Sequence, residues 1–183
     1  MAEMVKVGVS FPVAGPAGKA CVDLSQELAG AMETDVRLGP GGNSVPHVTV
    51  AMGMLGPAGR GALETAVSRL LPSLGGPFAM SFGPVYRERE TGRYIFVDAV
   101  LPAAVLQWRA EAQQALAGVF AEPSRTSAVP HVTISCTEQP LPGLDDLLLR
   151  GPAIPPSVVD TVDLAVGGPK GTKLDVLRSF PLR

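Results

Sequence analysis

Histidine and cysteine are scarce in this chain of 183 residues, which contains two of each. The cysteines, Cys21 and Cys136, stand far apart and lack the short spacings that are typical of metal-binding cysteine motifs. Disulfides are rare in proteins of reducing compartments, and the features described next favour such a compartment. We therefore expect the two cysteines to be buried free thiols rather than a disulfide.

Long apolar runs are also missing from the sequence. No stretch of 18 apolar residues is present, so no transmembrane helix is expected. The first residues, Met-Ala-Glu-Met-Val-Lys, lack the basic start and the apolar stretch of a signal peptide. These absences favour a cytoplasmic protein with no membrane partner, and we expect it to be a monomer.

Charge of one sign is not in excess, because the formal net charge is only −2. A non-specific grip on long nucleic acid needs many cationic contacts to phosphates, which this composition does not supply. Small anionic substrates remain compatible with it, since a few local cations are enough to bind them. Apolar residues make up 46% of the chain, which is ample for the packed core of a single domain.

The two histidines, His47 and His131, lie within a repeated segment. Residues 45–51 read Val-Pro-His-Val-Thr-Val-Ala, and residues 129–135 read Val-Pro-His-Val-Thr-Ile-Ser. The first five residues of the two copies are identical, and the histidines lie 84 positions apart. Alternating β-branched residues predict a β-strand in each copy.

The strand pattern determines which side chains of the repeat lie together. On a strand, residues i and i+2 point to the same face. His47 and Thr49 therefore share one face of the first strand, and His131 and Thr133 share one face of the second. Each strand presents an imidazole beside a hydroxyl, with an apolar face behind them. The residues predicted on the apolar faces are Val48, Val50, Val132 and Ile134.

The order of predicted elements is repeated as well. Each half reads as a strand, a helix, a histidine strand, a second helix and a closing strand. The outer strands are predicted at residues 4–11 and 78–86 in the first half, and at 93–101 and 158–166 in the second. We interpret the chain as a single domain, residues 1–183, made of two pseudo-symmetric halves at about 1–88 and 89–183. Two similar halves tend to pack with pseudo-two-fold symmetry, which brings the two His-x-Thr faces to a shared cleft.

Several cationic and aromatic residues are candidate substrate contacts. Residues 87–93 form a turn of mixed charge between two predicted strands, which is compatible with a solvated hairpin. The alternative is a cationic lip for a phosphate or a base, with Tyr86 or Tyr94 available for stacking. Arg125 lies in the loop before the second histidine strand. The candidate contacts are Tyr86, Arg87, Arg89, Arg93 and Arg125.

Two His-x-Thr units favour paired acid–base catalysis over other chemistries. Zinc sites normally take three or more ligands from Cys, His, Asp and Glu, so neither a metal nor another cofactor is expected. The Gly-x-Ser-x-Gly segment of many serine hydrolases is missing. One neutral imidazole can take a proton from an attacking water, while the other, as an imidazolium, donates one to the leaving oxygen. The two hydroxyls can hold phosphate oxygens between rings that lie roughly 5–8 Å apart.

These motifs resemble those of the two-histidine (2H) phosphoesterase superfamily, which includes the bacterial 2′-5′ RNA ligase and cyclic phosphodiesterase family. Its hallmark is a pair of His-x-Ser/Thr-x motifs with apolar flanks, represented here by His-Val-Thr-Val and His-Val-Thr-Ile. The resemblance implies an α+β fold with two pseudo-symmetric α/β lobes around a central cleft. The residues that it places in this cleft are His47, Thr49, His131 and Thr133. It also implies His131 as the base for water and His47 as the acid for the leaving oxygen, although substrate orientation can exchange them.

The resemblance further implies phosphodiesterase activity that needs no metal. The leading hypothesis is hydrolysis of a 2′,3′-cyclic phosphate on a small nucleotide or on a short RNA end. Two alternatives are open: cleavage of 2′-5′ or cyclic oligonucleotide linkages, and non-catalytic binding of a nucleotide or RNA. The matched histidines argue against the binding module, because binding alone does not need an acid and a base.

Overall fold

Two antiparallel β-sheets and four α-helices make up the part of the chain that the computed structural model describes, residues 3–140, 142–150 and 153–183. The helices are α1 (Gly15–Ala31), α2 (Gly59–Leu74), α3 (Ala103–Ala117) and α4 (Leu144–Arg150). The strands are β1 (Val5–Pro12), β2 (His47–Leu55), β3 (Phe78–Arg87), β4 (Tyr94–Val100), β5 (Glu122–Pro123), β6 (His131–Cys136), β7 (Ser157–Val159), β8 (Thr161–Gly167) and β9 (Lys173–Pro181). None of the described helices combines the length and the apolar character needed to cross a bilayer.

Each of the two sheets contains strands from both halves of the sequence. The first sheet has the order β5-β2-β1-β8-β9, and the second has the order β6-β4-β3-β7. The strands β3 and β8, each near the end of its half, pair with the strands that open the other half, β4 and β1. The boundary expected near residue 88 therefore falls between two neighbouring strands of the second sheet, and each sheet contains strands from both halves.

The single strand predicted at residues 158–166 is divided between the sheets. β7 lies beside β3 in the second sheet, and β8 lies beside β1 in the first. Val159 and Val162 are both fully buried although they lie three positions apart, so the two-residue alternation of a strand changes phase between them. The N–H of Leu182 donates to the carbonyl oxygen of Asp160 at 2.8 Å, which holds the crossing point in place.

The two histidine strands have the same shape. In β2 the register with β1 slips by one residue after Thr49, which makes Val50 the extra residue of a β-bulge. In β6 the register with β4 slips after Thr133, and Ile134 is the extra residue. A bulge bends a strand and redirects its side chains, so the sequence repeat is also a repeat of backbone conformation. The predicted apolar faces are confirmed, since four side chains are fully buried: Val48, Val50, Val132 and Ile134.

One apolar core contains side chains from both sheets and from the helices packed on them. Trp108 of α3 is buried in it, and its indole N–H donates to the carbonyl oxygen of Leu70 in α2 at 2.9 Å. Cys21 and Cys136 are both buried and free, as predicted. Burial raises the pKa of the Cys21 thiol to about 12, so this thiol stays protonated. The shared core fixes the positions of the two histidine strands.

Candidate active site

Each histidine ring is anchored by the backbone of its own motif. Nδ1 of His47 lies 2.8 Å from the carbonyl oxygen of Val45, and Nδ1 of His131 lies 3.0 Å from that of Val129. In the neutral ring this contact is a hydrogen bond when the proton is on Nδ1, which leaves the lone pair on Nε2. Nε2 is therefore the atom of each ring that can exchange a proton with a reacting group.

The prolines ahead of the histidines are fixed in matching ways. The carbonyl oxygen of Pro46 accepts a hydrogen bond from the N–H of Val13 at 3.0 Å, and that of Pro130 accepts one from Ala99 at 2.9 Å. These bonds tie the start of each histidine strand to the chain of the neighbouring strand. The orientation of both rings thus follows from backbone contacts that the repeated Val-Pro-His segment brings with it.

The two motifs lie along one cleft. His47 and Thr49 line a small pocket of about 20 Å³, and His131 and Thr133 line an adjoining cavity of about 360 Å³. The strands β2 and β6 contact each other, and the charge of the His131 ring contributes to lowering the pKa of His47. The rings are therefore near enough to interact. The pocket and the cavity share four lining residues: Lys6, Thr49, Met52 and Gly171.

Two hydroxyl groups of the cleft are available to a ligand, and a third is buried beside them. Thr49 and Thr133 are half-buried, and no hydrogen bond joins either hydroxyl to another residue in the described ranges. Ser10 is the β1 partner of Thr49 and is 3% exposed. Ser10 lines the small pocket, but its hydroxyl oxygen is itself buried and has no partner among the described residues. Because half-buried polar groups normally find partners, the two threonine hydroxyls are suited to bind the oxygen atoms of a phosphate or of a water.

The charges around the two rings differ. Burial is the main reason that the pKa of His47 is lowered to about 4, and the charge of Lys173 adds to the effect. Burial also lowers the pKa of His131, but the carboxylate of Asp98 acts in the opposite direction. Asp98 lies opposite His131 in the register of β4 and β6. A cation disfavours the charged form of each ring, Lys173 at His47 and Arg109 at His131, and a carboxylate opposes this effect at His131.

The cation near His47 is held by a buried ion pair. Nζ of Lys173 lies 2.6 Å from Oδ2 of Asp163, and both side chains are less than one tenth exposed. The hydroxyl of Ser179 donates to Oδ1 of the same carboxylate at 2.6 Å. Removing one partner of such a pair leaves an uncompensated buried charge, which is strongly destabilising. The fold therefore keeps this ammonium group in place.

Solved structures show which fold this arrangement belongs to. Escherichia coli LigT in complex with 3′-AMP matches with a TM-score of 0.71 at 13% sequence identity, covering 98% of this chain and 99% of that one. The chain has the LigT fold. TT0787 of Thermus thermophilus matches with a TM-score of 0.67 at 17% identity, covering 97% of this chain and 98% of that one. The PDE domain of MHV ns2 matches with a TM-score of 0.51 at 18% identity, covering 76% of this chain and 83% of that one.

These likenesses concern the fold alone, because the three sequence identities are 18% or lower. No protein-family model and no curated protein matches the sequence. They confirm the predicted α+β architecture, with two lobes around a central cleft. The chemistry of this LigT fold follows from the side chains that the chain itself places in the cleft.

Aromatic rings pack beside His131 in the LigT fold of this chain. The ring of Phe96 lies 4.1 Å from the imidazole, and Tyr94 stacks on Phe96 at 5.5 Å. Both aromatic residues line the cavity that contains His131. Tyr86 meets Phe96 edge-on at 6.2 Å, and its hydroxyl donates to Oδ1 of Asp98 at 2.7 Å. These rings restrict the plane of the imidazole and provide a flat apolar surface in the cavity.

A buried arginine connects the two motifs, and sequence reasoning missed it. Arg109 of α3 is 4% exposed, and its Nε donates to the carbonyl oxygen of Thr49 at 3.0 Å. Its other nitrogens donate to Ser127 at 2.8 Å and to Ala128 at 3.2 Å, in the loop before β6. The available signal was its position four residues after Val105 on the apolar stripe of α3, where a cation needs specific partners.

The structure separates the five candidate substrate contacts. Arg125 lines the cavity that contains His131 and Thr133. Tyr86, Arg87 and Arg89 line a different cavity, of about 900 Å³.

Ion pairs occupy two of the candidate arginines. Arg93 lies 2.9 Å from Oε2 of Glu138, and Arg87 binds both carboxylate oxygens of Asp145 at 3.1 and 2.9 Å. Arginines of the turn thus form ion pairs with carboxylates at the protein surface, as expected for a solvated hairpin.

Two lysines in the cleft, Lys6 and Lys170, were not candidates from the sequence. Lys6 lies in β1 and Lys170 in the turn between β8 and β9, and both line the cavity that contains His131. Neither belongs to a motif, so no local signal marks them. In the part of the chain that the structure describes, no group of three or more His, Cys, Asp or Glu side chains could hold a metal ion.

Proposed function

We propose that the chain is a metal-independent phosphodiesterase of the two-histidine phosphoesterase superfamily. Its proposed substrate is a 2′,3′-cyclic phosphate on a small nucleotide or on a short RNA end. The observation that carries the proposal is the pair of His-x-Thr motifs, which repeat each other in sequence, in ring anchoring and in β-bulge along one cleft. In this proposal His47 and His131 are the catalytic residues, and Thr49 and Thr133 bind the phosphate.

Hydrolysis of the cyclic phosphate requires that one proton be removed from the attacking water and that one be supplied to the leaving ribose oxygen. A neutral imidazole accepts a proton from water through Nε2 while the water oxygen bonds to phosphorus. On the opposite side, the bond from phosphorus to a ribose oxygen breaks, and the second ring, as an imidazolium, protonates that oxygen. The threonine hydroxyls donate to the non-bridging oxygens and stabilise the charge of the transition state. The product is a phosphomonoester, and the two rings have exchanged protonation states.

The spaces beside the two rings support different roles. The pocket beside His47 measures about 20 Å³, and a water molecule needs roughly 10–15 Å³ of such space. Its lining includes the half-buried Thr49, whose hydroxyl is suited to hold a water beside His47. The cavity beside His131 measures about 360 Å³, a size typical of small-molecule sites. These sizes favour the attacking water at His47 and the nucleotide at His131.

The charges favour the same assignment. A base must be neutral, and burial together with Lys173 lowers the pKa of His47 to about 4. An acid must be protonated; burial and Arg109 lower the pKa of His131, but the carboxylate of Asp98 opposes them, and His47 has no such carboxylate among the causes of its shift. We therefore propose His47 as the base and His131 as the acid, the reverse of the roles that the family resemblance implies.

A nucleotide substrate is supported by the lining of the larger cavity. Tyr94 and Phe96 offer a flat surface on which a base can stack, and Arg125 can contact a phosphate. LigT, which shares the fold, has been crystallised with 3′-AMP, with ATP and with phosphate. The first of these ligands carries its phosphate on the 3′ oxygen of the ribose, and opening a 2′,3′-cyclic phosphate leaves the phosphate on the 2′ or the 3′ oxygen.

Turnover of nucleoside 2′,3′-cyclic phosphates in the presence of EDTA tests the proposal. His47→Ala and His131→Ala should each lose about 10²–10⁴-fold in rate, because each removes a proton-transfer group. Both proteins should melt at the wild-type temperature, since the histidines face the cleft rather than the core. Gln107→Ala, on the exposed face of α3, is the control and should keep wild-type turnover.

The outcome also separates the alternatives. Full activity in either histidine variant would show that paired acid–base catalysis is wrong. A panel that includes 2′-5′-linked dinucleotides and cyclic oligonucleotides identifies the linkage that is cleaved. Tight binding of these ligands with no turnover of any of them would indicate a binding module instead.

A further inference from the structure

The cavity beside His131 concentrates positive charge, although the formal net charge of the chain is −2. Its lining residues, within the ranges that the structure describes, include four cations and no carboxylate. A 2′,3′-cyclic phosphate carries a single negative charge, so the cations outnumber the charge of the reacting group. The four cations are Lys6, Arg109, Arg125 and Lys170.

Two of these cations are fixed by protein contacts. Arg109 is buried and donates to three backbone carbonyl oxygens. Nζ of Lys170 lies 2.9 Å from Oδ2 of Asp35 and 3.1 Å from Oε1 of Glu138, and these contacts raise the pKa of Lys170 above its ordinary value. Neither side chain can move to a ligand without losing those partners.

Lys6 and Arg125 are held less firmly. The hydrogen bond of Lys6 is a long one, 3.3 Å from Nζ to the carbonyl oxygen of Gly168, and no described carboxylate pairs with it. No hydrogen bond or ion pair joins the exposed guanidinium of Arg125 to another residue of the described ranges. An ammonium group and a guanidinium fork are the two side-chain groups best suited to bind phosphate oxygens. Both therefore remain available to an anion that enters the cavity.

Lys6 stands away from the position of the reacting phosphate. Ser10 is the β1 partner of Thr49, and Lys6 lies four residues earlier on the same strand, about 13 Å away. Gly8 lies between them and lines the cleft without a side chain that would close it. At this level the cleft is lined instead by Met52, the β2 partner of Gly8 and a lining residue of both the pocket and the cavity.

We propose, building on the function proposed above, that Lys6 and Arg125 form a subsite for a second phosphate of the substrate. The ligand class is a ribonucleotide whose cyclic phosphate lies between the histidines and whose 5′ oxygen carries another phosphate. That phosphate is either a terminal 5′-phosphate or the phosphodiester to the preceding nucleotide of a short RNA. The two cations bind its oxygens and give the chain a preference for such substrates over a cyclic nucleotide without it.

The test compares kcat/KM for three substrates: adenosine 2′,3′-cyclic phosphate, its 5′-phosphorylated form, and a diadenylate that ends in a 2′,3′-cyclic phosphate. In the wild-type protein the second phosphate should raise kcat/KM by about 10–100-fold, as expected for charged hydrogen bonds. Lys6→Met and Arg125→Met should each reduce this gain about tenfold. Lys19→Met and Arg69→Met remove exposed cations from α1 and α2, and should keep the wild-type gain.

The two phosphate sources give different results. A gain with the 5′-phosphorylated nucleotide identifies the terminal phosphate, and a gain with the diadenylate alone identifies the phosphodiester. Equal kcat/KM for all three substrates in the wild-type protein, or a wild-type gain in both methionine variants, would overturn the subsite and leave the proposed function intact.

Binding measured by calorimetry separates the subsite from the catalytic proposal. Adenosine 3′,5′-bisphosphate should bind the wild-type protein about tenfold more tightly than adenosine 3′-phosphate. The difference should disappear in a variant that carries both Lys6→Met and Arg125→Met. If it does so while no cyclic nucleotide is hydrolysed, the subsite stands and the proposed function fails.

Discussion

Nε of Arg109 donates a hydrogen bond to the carbonyl oxygen of Thr49 at 3.0 Å. The same guanidinium donates to the carbonyl oxygens of Ser127 and Ala128, which precede the second histidine motif. One buried side chain of α3 thus connects the strand of the first motif to the loop that leads to His131. The position of α3 therefore helps to set how far apart the two motifs lie.

Arg109→Lys should weaken this connection. A lysine ammonium lacks the planar fork that reaches three carbonyl oxygens at once, so buried acceptors lose their donor. We expect the free energy of unfolding to fall by about 1–3 kcal/mol, and kcat for a cyclic nucleotide to fall as well. Urea unfolding and steady-state kinetics measure the two effects, with the exposed Arg69→Lys as the control. Wild-type stability and kcat in Arg109→Lys would show that these three hydrogen bonds do not position the motifs.

The local part of the site could be predicted from the sequence. The identity of the two Val-Pro-His-Val-Thr segments and the two-residue alternation of a strand placed His47 beside Thr49, and His131 beside Thr133. Backbone alternation depends only on neighbouring residues, so the apolar faces were also predicted correctly. The cleft was expected from the repeat of elements, because two similar halves tend to pack with pseudo-two-fold symmetry.

The rest of the site depends on contacts between distant parts of the chain. Arg109 meets the carbonyl of a residue 60 positions earlier, and Lys6 meets one 162 positions later, so no local pattern marks either cation. The crossing at Asp160 was missed because the β-branched residues around it read as one strand, although the buried Val159 and Val162 lie three positions apart rather than two. Each sheet combines strands from both halves of the sequence, and this pairing depends on the whole topology. The periodicity of side chains within one half therefore cannot predict it.

The pKa values of the two histidines predict the pH dependence of turnover. Burial lowers both below the usual value of about 6.5, and that of His47 to about 4. The kcat/KM should rise as the pH rises through the pKa of the base, because the base must be neutral. It should fall as the pH rises through the pKa of the acid, because the acid must be protonated.

We therefore expect a bell-shaped profile of kcat/KM with its optimum on the acidic side of neutrality. Rates measured in buffers of constant ionic strength from acidic to mildly alkaline pH provide the check. A profile without an acidic or an alkaline limb would contradict a mechanism in which both rings transfer protons.

Asp98→Asn should move only one limb of that profile. The carboxylate of Asp98 raises the pKa of His131, so its replacement by an amide should lower that pKa and shift the alkaline limb to lower pH. The acidic limb, which is assigned to His47, should stay in place. Tyr86→Phe is the control, because it removes a hydrogen bond to Asp98 and leaves the carboxylate charge. Histidine titration by NMR would identify the ring that responds, and a shift of His47 instead would contradict the assignment of roles.

Thr49→Val and Thr133→Val should separate phosphate binding from proton transfer. Valine keeps the branched shape of threonine and lacks the hydroxyl, so each change removes one hydrogen bond to a non-bridging oxygen. We expect each to lower kcat/KM about tenfold, a smaller loss than either histidine-to-alanine change should cause.

Thr49→Ser and Thr133→Ser are the matched controls for these valine variants. Serine keeps the hydroxyl and loses only a methyl group, so both serine variants should retain most of the wild-type kcat/KM. All four proteins should unfold at the wild-type temperature, because these half-buried side chains face the cleft while the buried valine and isoleucine neighbours hold each strand in the core. If a serine variant loses as much activity as its valine counterpart, the shape of threonine matters there rather than its hydroxyl. In that case the hydroxyl does not bind the phosphate as proposed.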